Sequence, residues 1–158
     1  LRMGYNFLPS EISAAFGLEQ LKKLKKNIDT RVRNFKFLHN FFSKFKHLVN
    51  LPITNINART GWLAFPLTIK NNLKFNRKDF QIFFEKNNIQ TRTIFTGNIL
   101  KQPAMKGLKY SSKKDAAEKS NYVMKNGILL GCHHGLTIKD LTYITKIFLK
   151  FLKSKNLL

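Results

Sequence analysis

Between Ser10 and His47, apolar residues recur mainly at three- and four-residue steps: Ile12, Phe16, Leu21, Leu24, Ile28, Phe35, Leu38, Phe42 and Phe45. Three- and four-residue steps follow the period of an α-helix. Lys22, Lys23, Lys25, Lys26, Arg31, Arg33 and Lys36 fall between them and form the solvent face. Pro9 suits a first helical turn, where its missing N–H is not needed. The segment predicts either one long strut or two helices parted near Asn27–Asp29. A strut with this much apolar surface needs a second domain or a second subunit on its other side.

The pattern then changes. Pro52, several asparagines and Gly61 mark a connection over 50–61, and Trp62-Leu-Ala-Phe-Pro-Leu-Thr-Ile69 reads as a strand. Pro66 within it predicts an edge position or a bulge. Asn76 is placed to cap a helix over Arg77–Asn87, with Asp79 in the first turn and Phe80, Phe83 and Phe84 inward. Ile89–Phe95 is a second strand candidate, followed by a loop punctuated by Gly97, Pro103 and Gly107. A polar helix is expected over Lys113–Met124, ending at Asn126-Gly127, and a third strand over Ile128–Gly131. Thr137 and Asp140 make a capping-box start to the last helix, whose face is Leu141, Ile144, Phe148 and Phe151. The expectation is an α/β chain. A long helical strut occupies 1–50, and a small domain of order β-α-β-α-β-α occupies 51–158.

Composition supports a folded chain: 43% of the 158 residues are hydrophobic and 15 are Phe, rings that need an interior or a partner to cover them. The formal net charge of +21 would suit a polyanionic partner. Lys, Asn, Ile and Phe also share A/T-rich codons, and the lysines are spread along the chain rather than gathered in one block. That distribution favours solvated basic faces over a nucleic-acid-binding module, though the surface would still attract an anionic substrate. The single cysteine, Cys132, excludes an internal disulfide framework and fits a reducing, cytoplasmic setting. No apolar run has the length of a membrane span, and no secretory signal is evident. The opening residue is Leu1, and the sequence around it reads like the middle of a protein, so a fragment is expected.

Three clusters could carry chemistry. The first is Gln90–Pro103, where a strand end delivers Arg92 and a Gly-containing turn presents Thr96, Gly97, Asn98 and Gln102. Arg suits bidentate recognition of phosphate or carboxylate, and amides and hydroxyls suit the hydroxyls of a sugar. The same residues would also serve as a surface cation and an ordinary turn. The second is Gly131-Cys-His-His-Gly135. Neighbouring His133 and His134 point in different directions, and no partners stand at zinc-site spacing. Adjacency of Cys132 to His133 is likewise not the geometry of a nucleophile and its base, so a structural or substrate-edge role is favoured. The third is Gly4-Tyr-Asn6 ahead of the strut, close to a helix N-terminus that would stabilise an anion. No Walker motif, Rossmann glycine pattern or paired-carboxylate site occurs, and only 8 residues are acidic.

Taken together, Gly4-Tyr-Asn6, Ser10-Glu-Ile-Ser-Ala-Ala-Phe-Gly17 and Glu19-Gln-Leu21 resemble the DegT/DnrJ/StrS family of sugar aminotransferases. The Trp62–Pro66 and Thr91-Arg92 strands fall where that family has counterparts. Thr-Arg-x-x-Phe-x-Gly-Asn followed by Gln-Pro, and the later His-His, are similar to its 3-dehydrase branch, which acts on CDP- or GDP-linked 4-keto-6-deoxyhexoses. The resemblance implies the C-terminal small domain of a fold-type-I pyridoxal-phosphate enzyme, using pyridoxal or pyridoxamine 5'-phosphate. It implies a homodimer with the active site at the subunit interface, and an iron-sulfur reductase as partner if the substrate is of the CDP type. Asn6 would reach the cofactor phosphate of the other subunit. Arg92, Thr96, Asn98 and Gln102 would border the sugar nucleotide, with His133 and His134 less directly. Where many members have a basic residue two positions after the motif Asn, this chain has Leu8. The residue that decides the chemistry, Lys for transamination or His for dehydration, is expected upstream, so the fragment alone is expected to be inactive.

Overall fold

The structure is a computed structural model that describes residues 10–71, 73–111 and 114–158. Its first element, α1 (Glu11–Phe42), runs unbroken through Asn27–Asp29, so the strut is one helix of 32 residues. A short 3-10 turn over Ser43–Phe45 follows. Then come β1 (Val49–Asn50), β2 (Ala64–Ile69), α2 (Arg77–Lys86), β3 (Thr91–Thr93), α3 (Lys114–Asn126), β4 (Gly127–Gly131) and α4 (Ile138–Ser154). Asn6, Leu8 and Pro9 lie outside the described residues.

The four strands form one antiparallel sheet in the order β1-β2-β4-β3. Burial alternates along β2, so Phe65, Leu67 and Ile69 enter the core. Ile128 and Leu130 of β4 join them. Against them pack Phe35, Leu38 and Phe42 of α1, Phe80 and Phe84 of α2, and the whole predicted face of α4. The core is aromatic: the Phe42 and Phe148 rings meet edge to face at 4.9 Å, and Phe80 stacks on Phe84 at 4.0 Å. On the opposite face lies α3. Its Tyr122 hydroxyl donates to the Ile69 carbonyl at 3.0 Å, while the Asn50 amide donates to both Thr68 Oγ1 and Tyr122 Oη.

Local signals set the helix starts. Asn76 with Asp79, and Thr137 with Asp140, both form complete capping boxes. Pro66 sits in an interior strand, yet β1 pairs only with Thr68 and Ile69. Along Pro66 that side of β2 is therefore an open edge, where a residue without an N–H is tolerated. β3 is shorter than the Ile89–Phe95 run predicts, because Phe95 turns to φ 44° and breaks the extended backbone. At the other end of the chain, the first half of α1 leaves Ile12, Phe16, Leu18 and Leu21 exposed.

Candidate functional site

β3 and β4 are antiparallel, with Thr91 opposite Leu130 and Thr93 opposite Ile128. The chain leaving β3 therefore emerges at the Gly127 end of β4, and the chain leaving β4 emerges at the other end. A five-residue strand spans roughly 15 Å. The fold thus keeps Thr96, Asn98 and Gln102 together and sets His133 and His134 apart from them, with Arg92 opposite Leu129 in the middle of β4.

The first group sits on a loop shaped by its own side chains. Thr91 anchors its start, donating from Oγ1 to Glu85 Oε1 at 2.8 Å and accepting from the Gln81 amide at 3.3 Å. Arg92, next in the strand, is exposed. Gly97 has φ 66°, and a Cβ there would lie 2.3 Å from Met124 Cβ, so only glycine fits the close approach to α3. Asn98 is buried: its Oδ1 accepts from the Leu100 N–H at 2.9 Å, and its amide donates to Asn121 Oδ1 at 2.9 Å. The Gln102 amide donates to the Thr96 carbonyl at 2.9 Å. Asn98 and Gln102 are thus occupied in holding the turn, and Arg92 and Thr96 are the members it leaves exposed. A guanidinium suits an anionic group of a ligand and a hydroxyl suits a ligand's own hydroxyls.

The turn after β4 is held from outside. Asn34 of α1 is fully buried, and its amide donates to the carbonyls of His133 at 2.9 Å and Leu136 at 3.4 Å. Arg33 donates to the Asn34 carbonyl oxygen at 3.0 Å, which fixes the amide's orientation. His133 Nδ1 accepts from the Gly135 N–H at 3.2 Å, placing the neutral ring's proton on Nε2. His134 Nδ1 lies 3.3 Å from an Arg31 nitrogen, so the two histidines do face different ways. Burial pushes the Cys132 thiol up to about 11 despite the nearby Arg31 charge, and the thiol donates to the Arg31 carbonyl. A buried, protonated thiol is not a nucleophile. Bonds from the Thr137 hydroxyl and backbone hold the Asp140 carboxyl below its ordinary value.

Arg31 and Asn34 are the residues that sequence reasoning missed. One signal was present: Asn34 is a polar residue directly ahead of Phe35, four positions before Leu38, within the stripe that becomes core. Among the described residues, no three His, Cys, Asp or Glu side chains gather as a metal site, and no helix is long and apolar enough to cross a membrane.

A long helix leading into an antiparallel sheet, with aromatic helices on one face and a polar loop after β3, is an α/β fold. The chain belongs to the DegT/DnrJ/EryC1/StrS aminotransferase family, whose model matches residues 1–149. It is 28% identical over 149 residues to lipopolysaccharide biosynthesis protein RfbH of Salmonella typhimurium, covering 94% of this chain and 34% of that protein. It is 31% identical over 145 residues to GDP-4-keto-6-deoxy-D-mannose 3-dehydratase of Escherichia coli O55:H7, covering 91% of this chain and 36% of that protein. A structure of the Escherichia coli GDP-4-keto-6-deoxy-D-mannose-3-dehydratase with bound hydrated PLP matches with a TM-score of 0.82 at 29% identity. The match covers 91% of this chain and 36% of that one. The expected α/β fold is therefore that of this family's PLP-dependent enzymes, and the chain spans about a third of the length of the curated relatives it matches.

Proposed function

We propose that the whole enzyme to which this chain contributes is a nucleotide-sugar 3-dehydrase. It would remove the 3-hydroxyl from a CDP- or GDP-linked 4-keto-6-deoxyhexose for lipopolysaccharide or O-antigen synthesis. The observation that carries this reading is the loop after β3. Asn98 and Gln102 are bonded into a turn that leaves Arg92 and Thr96 exposed, within the Thr-Arg, Gly-Asn and Gln-Pro block. In this reading Arg92 receives an anionic part of the substrate and Thr96 a sugar hydroxyl. Asn98 and Gln102 contribute chiefly by holding the loop, and His133 and His134 border the site from the other end of β4.

The cofactor of this reading is pyridoxal or pyridoxamine 5'-phosphate, which supplies an electron sink when bound. Asn6, assigned to its phosphate, lies outside the described residues, and none of the lysines whose burial is described is buried. The group that meets the cofactor's reactive carbon is therefore assigned to the remainder of the enzyme. A homodimer is proposed as well, supported by the exposed Ile12, Phe16, Leu18 and Leu21 of α1. Ile12 and Leu21 stand nine residues, about two and a half turns, apart, so apolar surface lies on opposite sides of the helix and needs cover from two directions. An iron-sulfur reductase would be a further partner for a CDP-linked substrate, and the single buried cysteine fits a cytoplasmic location.

The family's own description favours a second reading, an aminotransferase acting on the same class of substrate. The full-length enzyme, supplied with pyridoxamine 5'-phosphate and a GDP- or CDP-linked 4-keto-6-deoxyhexose, separates the two. Loss of the 3-hydroxyl without nitrogen in the sugar supports dehydration. An amino sugar supports the second reading, and recovery of unchanged substrate, with an iron-sulfur reductase present for the CDP-linked sugar, overturns both.

A further inference from the structure

Lys139, Lys146, Lys150 and Lys153 are spread along the sequence but gather on one face of α4. At about 100° per residue they fall within an arc of about 60°, and the row runs about 21 Å along the helix axis. All four are exposed, on the side opposite Leu141, Ile144, Phe148 and Phe151, which enter the core. Two further exposed lysines stand close by. Lys44 and Lys46 flank Phe45, whose ring meets Phe148 of α4 at 5.0 Å.

The acids of this helical layer are engaged elsewhere. Asp79 and Asp140 close capping boxes, and Glu85 accepts from Thr91 Oγ1. Among the described residues no carboxylate pairs with a lysine of the row, whereas on α1 Lys22 pairs with Glu19 and Lys25 with Asp29. The positive charge of α4 therefore stands uncompensated, while part of that on α1 is cancelled.

The make-up of the row selects its counterpart. Every cation in it is Lys, a hydrated point charge, and no Arg is present to fork onto a phosphate or a base edge. Tyr143, next to the row, is tied by its hydroxyl to the Asn87 carbonyl at 3.1 Å, so it is not free to stack on bases. A nucleic acid would thus find neither of its usual partners. A plane of anionic headgroups needs neither of them: each flexible ammonium group meets it without a fixed register and adds about fivefold in affinity.

We propose that the lysine face of α4 holds the enzyme against an anionic phospholipid surface. This goes beyond the reaction proposed above and does not depend on it.

The test is sedimentation of the full-length enzyme with phosphatidylcholine vesicles, either pure or with one third phosphatidylglycerol. The enzyme is expected to sediment only with the anionic vesicles and to be released by salt of about 0.5 M, which screens the attraction. Lys146→Gln/Lys150→Gln/Lys153→Gln is expected to weaken binding about a hundredfold. Lys22→Gln/Lys25→Gln/Lys26→Gln removes the same charge from α1 and is expected to cost less than about threefold, because the face that binds is intact. All six side chains are exposed, so the core is undisturbed in both variants. Failure to sediment with the anionic vesicles overturns the proposal. Equal losses in the two variants also overturn it, since net charge rather than α4 would then be responsible. Displacement of the vesicles by duplex DNA of matched phosphate content would assign the face to nucleic acid instead.

Discussion

The loop after β3 and the turn after β4 are both tightly bonded, but by different means. The loop after β3 is closed by residues within it and by the neighbouring α3: Gly97 against Met124, Asn98 to Leu100 and Asn121, Gln102 to Thr96. The turn after β4 is closed by Asn34, which lies 99 residues earlier in the chain than His133. The first arrangement places its shaping residues beside the side chains they present. The second makes the histidine turn depend on how α1 docks. A change in α1 would therefore disturb His133 and His134 while leaving Arg92 and Thr96 where they are.

Substitutions can break that contrast, beginning with the largest effect. Gly97→Ala forces a Cβ into Met124 at a positive φ, and is expected to cost about 3 kcal/mol in urea unfolding. Hydrogen exchange should show amides over 94–102 losing protection while those over 133–136 keep theirs. Next comes Asn34→Ala, expected to cost about 2 kcal/mol by leaving the His133 and Leu136 carbonyls unmatched. Its exchange pattern should be the reverse, and spreading of either effect to the other loop would remove the distinction. Asn98→Ala removes the amide's bonds but leaves Gly97 in place, so about 1 kcal/mol is expected, again confined to the first loop.

A separate effect appears with pH. The Cys132 thiol is raised from 9.0 to about 11 by burial, so the folded chain holds its proton where the unfolded chain has lost it. The stability this contributes is complete below 9 and falls as pH rises from 9 through about 11. Cys132→Ser should flatten that alkaline decline in unfolding experiments. An undiminished decline would show that Cys132 is not its source.

The same contrast explains what could be read in the sequence. The α4 face of Leu141, Ile144, Phe148 and Phe151, the Asn76 cap and the Thr137–Asp140 capping box are determined within a few residues, and they form as predicted. The unbroken strut was one of two readings, since nothing between Asn27 and Asp29 forces or forbids a break. β1 was not legible, because two residues become a strand only by meeting Thr68 and Ile69. The grouping of Thr96, Asn98 and Gln102 was legible because one short loop contains them. Its separation from His133 and His134 was not, because it follows from the antiparallel pairing of β3 with β4. For the same reason Arg31 and Asn34 escaped notice: their partners lie about a hundred positions away.

The central claim is that β3 presents Arg92 to an anionic sugar nucleotide. The most direct test is kcat/KM of the full-length enzyme and its Arg92→Ala variant on the same keto-sugar nucleotide. The account predicts a loss on the order of a hundredfold with no change in unfolding stability, since Arg92 is exposed and a charge-assisted bidentate contact of about 3 kcal/mol is removed. An unchanged kcat/KM would contradict it.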